Sequence, residues 1–430
     1  MSIASYLLSS EFQRSNYGAQ RSTSWRLEKR SLIIVLLAAI TFCLSMSFGM
    51  REAGDVGLTV QNGAKLILWV GLFIWGMVEW KSIMPLLFQP VGYVLSFLGL
   101  YAALSALWSP VPLYTAASAL GWLAYMALAC LAIRYVELNA ILASIFWALF
   151  AFIAVSFLLA FIIPDAVWLP PSDVENTFRF VGLTDHPNNF GHQAGLYLVF
   201  TAACLSRRLI SIKSAFFHAA FGLAALGLSG DRTISIGLLS ITCLVAVRYS
   251  AIAQRFAFGA ALFFAVAFMF YAAGIGPDFQ SAMESISRTG QASEIMTLTG
   301  RTDIWAVALE HILEKPIFGW GFNGTEHLMV STAPLRFFGN PVNAHQMFLQ
   351  MTLSLGLVGL VPSLALVALP ITAYFAKPIF YRDLIVGLIL LNGIAEADIF
   401  ATPVLSGLIT FLLLLRDGAP SPHLIFNGEG

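Results

Sequence analysis

Residues 139–163 read NAILASIFWALFAFIAVSFLLAFII, an apolar run of 25 positions without a charge. A helix crosses ~30 Å of hydrocarbon with about 20 mostly apolar residues, so this run predicts a membrane span. Similar runs precede it near 31–49, 62–78, 88–108 and 113–133. Others follow near 190–205, 214–229, 233–248, 256–274, 347–376, 383–397 and 400–415. The expectation is about 12 transmembrane helices. The first run comes after residues 1–30 and closes on no small-residue cleavage pattern, so it reads as a span and not as a removed signal. The alternating apolar and polar pattern of a membrane β-barrel is absent from the sequence. The fold class this predicts is an all-α polytopic integral membrane protein.

Composition agrees. Of 430 residues, 58% are hydrophobic and 11% charged, whereas soluble domains carry about 25% charged residues. The same figures exclude a disordered chain. Lys plus Arg (23) equals Asp plus Glu (23), which leaves no basic excess for nucleic acid. Assigning loops alternately to the two sides puts 15 of the 23 basic residues on one side, among them Lys29, Arg134, Arg207 and Arg382. The other side receives 8, including Arg179, Arg232 and Arg301. The more basic side is cytoplasmic, and both termini fall there. The predicted organisation is a cytoplasmic tail at 1–30, a transmembrane bundle at 31–415 and a second cytoplasmic tail at 416–430.

Cys43, Cys130, Cys204 and Cys243 all lie inside predicted spans and form no CxxC pair, so they read as packing residues. The sequence holds no phosphate-binding P-loop, HExxH, GxSxG or zinc-spaced Cys/His cluster. Two outer segments are long, 164–189 and about 275–346, and loops of that length usually bind something or fold. In TGRTDIWAVALEHILEK (299–315), Ile304, Trp305, Ala308, Leu309, Ile312 and Leu313 recur at helical spacing. This predicts an amphipathic helix across the outer face, closed by Pro316 and Gly319, after a polar strap at 285–300.

Ionisable residues gather at this outer side: Arg179, His186, His192, Asp231, Arg232, Arg301, His345, Glu396 and Asp398. Such groups are costly near lipid and usually face a bundle interior or a wet cavity. Each also has a plainer reading. Arg179 could anchor a loop to lipid phosphate, Arg232 could pair with Asp231, Arg301 could be solvated, and His345 could be a hydrogen-bonded buried histidine. His186 and His192 flank a HPNN turn and read as structural, not as metal ligands. Glu396 and Asp398 could sit in a solvated turn. Together the group suggests more. Three arginines offer planar forks to a multiply charged anion, and a histidine titrates near neutral pH as a base must. Outside the cytoplasm such an anion is most plausibly lipid-linked, which points to glycosyl transfer from a polyprenyl carrier.

An ordered set of motifs supports that reading. It runs RxxG…HPNxxG (Arg179, Gly182, Pro187, Asn188, Gly191), then SGDRT, then GRTDIW…PIFGWG, then AHQxFLQxxLxxGLxG with His345, Gln346, Gly356 and Gly359. It resembles the O-antigen ligase and O-antigen polymerase superfamily over roughly 179–360. Ser354 stands where many relatives carry an acid two residues before the glycine, and Glu396 could substitute for it. The late EADIF segment looks more like exopolysaccharide polymerases of the ExoQ type. The resemblance implies a metal-independent, inverting transferase without a cofactor, built as a carrier-lipid glycosyltransferase (GT-C-like) bundle in a bacterial inner membrane, its site facing the periplasm. It further implies that Arg179, Arg232 and Arg301 bind undecaprenyl pyrophosphate. His345 would then act as base, with Asp231 and Glu396 accessory. The implied partners are an undecaprenyl-pyrophosphate-linked oligosaccharide, a glycan acceptor, inner-membrane lipids, and chain-length regulator and export proteins. Trp168, Phe178, Phe180, Trp305, Trp320 and Phe322 are candidates for stacking on sugars, with interface anchoring the other reading for the tryptophans. The rival functions are a ligase that hands the glycan to lipid A-core, a lipid-linked sugar transporter or flippase, and a non-catalytic scaffold.

Overall fold

The computed structural model describes residues 27–47, 60–170, 178–252, 254, 301–332, 343–400 and 403–418. The predicted span at 256–274, the strap at 285–300 and most of both tails lie outside them. Within them the protein is almost wholly helical. In chain order the helices are α1 (27–45), α2 (Val60–Val78), α3 (Trp80–Leu87), α4 (Pro90–Leu104), α5 (Pro112–Tyr135) and α6 (Leu138–Ile162). A single turn α7 (Pro164–Val167) follows, then α8 (Pro187–Ser206), α9 (Ile212–Ser229) and α10 (Arg232–Tyr249). The last group is α11 (Arg301–Glu314), α12 (Thr325–Thr332), α13 (Met347–Ala376), α14 (Phe380–Gly393) and α15 (Leu405–Gly418).

Among the described residues the apolar runs become helices of unequal length. Among the described residues six helices are long and apolar enough to cross a membrane, or seven if α2 and α3, bent by 91°, count as one. Helices α14 and α15 have 14 residues each, a rise of about 21 Å, and α14 still runs from Arg382 at one end of the bundle to the turn of Glu396 at the other. They pack inside the bundle: Leu388, Ile389, Leu408 and Leu415 are fully buried. Hydrophobicity alone cannot separate a span from a short helix that is apolar because it is central. Cys130 and Cys204 are buried as packing residues, whereas Cys43 and Cys243 lie on exposed helix faces.

Two polar clusters mark one end of the bundle. Glu79, in the bend after α2, accepts hydrogen bonds from Lys29 of α1 and, at 2.6 Å, from Tyr135 at the end of α5. At the start of α14, Arg382 bonds Asp383 and, at 2.6 Å, Asp417 at the end of α15. All of these residues belong to the side expected to be cytoplasmic. The opposite end carries the candidate site.

Candidate active site

At that opposite end α13 begins. Its first turn is capped by Gln346, whose side-chain oxygen accepts from the Leu349 N–H at 2.6 Å. Just before the cap, His345 takes a left-handed backbone with φ +43°, a conformation uncommon for a side-chain-bearing residue. Two bonds hold it there. The Asn343 side chain accepts from the His345 N–H at 2.8 Å, and the Gln350 side chain accepts from the Ala344 N–H at 3.0 Å. Gln350 is itself fixed by donating to Thr325 and Ser354.

Ten residues on, α13 breaks at Gly356, where φ is +62° and ψ −161°. The segment after α11 fills the break. Leu353 and Ser354 carbonyls accept from the Trp320 and Gly321 N–H groups at 3.0 and 2.8 Å, while Leu357 N–H donates to the Pro316 carbonyl at 2.9 Å. Backbone groups released inside a membrane protein need such partners. A side chain on Gly356 would collide with the Ile317 carbonyl, and one on Gly319 would come 2.6 Å from the Gly356 nitrogen. The glycines of the PIFGWG and GLxG motifs are thus one mutual fit. It seats α11 against α13, burying Ile304 and Ala308 with Leu353 and Ala344. The apolar stripe read from the sequence is narrower in fact: Leu309 and Leu313 are exposed.

That seating brings Arg301, the first residue of α11, to the turn after α14. One oxygen of Glu396 pairs with Arg301, and the other lies 2.9 Å from His345 Nδ1. Burial works to raise the Glu396 carboxyl. The His345 hydrogen bond and the charge of Arg301 outweigh it and hold the carboxyl below its usual range. An ionised carboxylate only accepts, so Nδ1 of His345 carries the hydrogen and Nε2 is left for other work.

Beside this lies a second layer. Asp231 caps α10, accepting from the Ile234 N–H at 3.2 Å. Burial pushes its carboxyl up to about 6, with the Glu396 charge adding to the rise. His192 on α8 meets Asn392 of α14 at 3.0 Å. His186 caps α8 through Nδ1, as a structural residue should. Arg232 opens α10 and is half-buried. Arg179 is placed differently from the expectation that it offers its fork to an anion. It is 3% exposed, and its guanidinium donates to the Ser229 carbonyl and the Asn188 side chain, each at 2.7 Å.

The expected sugar-stacking aromatics divide. Phe180 and Phe322 are fully buried in the core, which corrects that reading for both. Phe178 is exposed, and Trp320 donates to the His311 carbonyl with the Lys315 ammonium 3.8 Å above its ring. Sequence reasoning missed Asn343 and Gln350, the residues that hold His345; their place in the run NAHQMFLQ was the signal. Among the described residues no group of three or more His, Cys, Asp or Glu side chains is placed to hold a metal ion.

A bundle of membrane helices with a paired Arg–Glu–His cluster at one end defines a class: an integral membrane protein with an ionic site at one helix-end face. Residues 217–363 match the family model described as O-antigen ligase. Over that segment the chain is similar to the O-antigen ligase family, which supports the resemblance read from the motifs. Such a domain implies a glycosyltransferase-type enzyme, of ligase or polymerase kind, with lipid-linked glycans as substrates in general terms. No curated protein matches the chain.

Proposed function

We propose that the protein transfers a glycan from an undecaprenyl-pyrophosphate carrier to a sugar hydroxyl on the periplasmic face of a bacterial inner membrane, extending an exopolysaccharide or O-antigen chain. The observation that carries this reading is Glu396 held between Arg301 and His345. It joins an anion-binding fork to a base in one site, as transfer from a pyrophosphate requires. The acceptor O–H loses its proton to Nε2 of His345, and its oxygen bonds to the anomeric carbon. The bond from that carbon to the carrier pyrophosphate breaks, and the electron pair leaves with the pyrophosphate, which Arg232 and Arg301 hold through paired hydrogen bonds. Attack opposite the leaving group inverts the anomeric centre, and no metal is needed when two guanidiniums carry the charge. Glu396 keeps the His345 ring in the tautomer that frees Nε2.

Ligase and polymerase differ only in the acceptor. The ExoQ-like EADIF segment, which supplies Glu396, favours polymerisation, with chain-length regulator and export proteins as partners. The test is the glycan profile of a deletion strain. Single repeat units without long chains support polymerase, whereas finished chains accumulating on the carrier mean ligase. An unaltered carrier and glycan profile refutes both.

A further inference from the structure

Arg179 is the most buried of the three site arginines, and its surroundings are a lock and not a binding face. A two-stranded ladder, β1 (Trp168–Leu169) against β2 (Arg179–Phe180), fixes its backbone, with Leu169 opposite Arg179. Its Nε donates to the Ser229 carbonyl, the last of α9, and its Nη2 to Asn188 in the first turn of α8. Next comes Gly230 in the left-handed region at φ +61°, closing α9. A side chain there would stand 3.4 Å from Arg179 Nε. The Ser229 hydroxyl accepts from the Asp231 N–H at 3.2 Å, and Asp231 then caps α10, whose first residue is Arg232. From the other side α8 approaches so closely that a side chain on Gly191 would overlap Asp231 and come 2.7 Å from the Ser229 hydroxyl.

Arg179, Asn188, Gly191, Ser229, Gly230 and Asp231 therefore interlock around one tight turn, and that turn aims Arg232. We infer that Arg179 is a positioning residue: it holds the α9–α10 turn and so sets the place of the Arg232 guanidinium, without itself touching the pyrophosphate. This rests on the proposed role of Arg232. The two bonds need a planar donor with two directed N–H groups, which a lysine ammonium cannot supply from the same seat.

The test uses the full-length protein in detergent with polyprenyl pyrophosphate as probe. Arg179→Lys is expected to weaken binding about ten-fold, the scale of coupled neighbours, and to change it little when Arg232 is already Gln. Equal losses in both backgrounds would show that Arg179 grips the ligand itself and would overturn the inference. Hydrogen exchange at residues 230–235 without ligand separates the two readings. Faster exchange in Arg179→Lys is expected, and unchanged exchange overturns the inference whatever the binding result. If exchange quickens but Arg232→Gln binds the probe normally, the turn lock stands and the proposed role of Arg232 fails. Should Arg179→Lys not fold, Asn188→Ala and Gly191→Ala disturb the same turn from α8. Both should then reproduce the loss in the wild-type background and not in Arg232→Gln; normal binding in both would overturn the inference.

Discussion

Two arginine clusters sit at opposite ends of this bundle, and they are built to opposite rules. At one end Arg382 faces two carboxylates, Asp383 and Asp417, and also donates to the Lys377 carbonyl; its side chain is 3% exposed. That cluster is saturated. At the other end a single carboxylate, Glu396, serves two cationic or basic groups, Arg301 and His345, whose side chains are 14% and 30% exposed. That cluster is open to solvent. The first arrangement ties helix ends together, while the second leaves an arginine and a histidine within reach of a ligand. An ion pair by itself says little about function; its charge balance and exposure say more.

The largest expected effect comes from the open cluster. His345→Ala should lower transfer by about 10²–10⁴-fold, the usual contribution of a general base, while thermal unfolding in detergent stays near wild type. A melting temperature that falls in step with activity would make His345 a structural residue. Mutation of the saturated cluster should give the mirror image. Arg382→Ala leaves the buried Asp383 without its cation, a loss of about 3–5 kcal/mol in stability, yet the fraction that remains folded should keep its specific activity. If that fraction is inactive and fully stable, the contrast between the two ends collapses.

Next in size is Arg301→Lys. Hydrogen bonds to charged groups are worth about 1.5–3 kcal/mol, so a ten- to hundred-fold drop in kcat/KM is expected, nearly the effect of Arg301→Ala. Full activity with lysine would show that charge suffices and the paired fork does not matter. The smallest effect concerns Asp231, whose carboxyl burial raises from 3.8 to about 6. Across that window the folded chain keeps a proton that the unfolded chain has released, so stability falls as pH rises. Asp231→Asn keeps a good cap and should abolish this slope in melting temperature against pH. An unchanged slope would locate the titrating group elsewhere.

The sequence displayed some of this and hid the rest, for identifiable reasons. Uninterrupted apolar runs such as 139–163 announce helices directly, and the amphipathic α11 showed in its spacing. What hydropathy could not show is that α14 and α15 have only 14 residues each, since a short central helix and a long membrane helix are equally apolar. The outer cluster was legible as a set of residue types, and Glu396 could be named as a substitute acid. Its pairing with both Arg301 and His345 was not, because it depends on residue 301 and residue 396 meeting across the Gly356 break. The bonds that Arg179 makes were hidden for a related reason. An arginine in a polar motif looks the same whether its fork meets a ligand or the carbonyl at the end of a neighbouring helix.

The central claim is that Glu396 occupies an anion site and orients the base at the same time. The direct measurement is the Glu396→Gln variant, assayed in parallel for polyprenyl-pyrophosphate binding and for glycan transfer by the purified protein. Neutralising the carboxylate releases Arg301 to the ligand but loosens the His345 ring. Binding should therefore become as tight as wild type or tighter, while transfer falls by about ten-fold or more, the scale of a lost charged hydrogen bond. Loss of binding together with unchanged transfer per bound carrier would contradict the account, for it would make Glu396 a ligand-holding residue with no part in the chemistry.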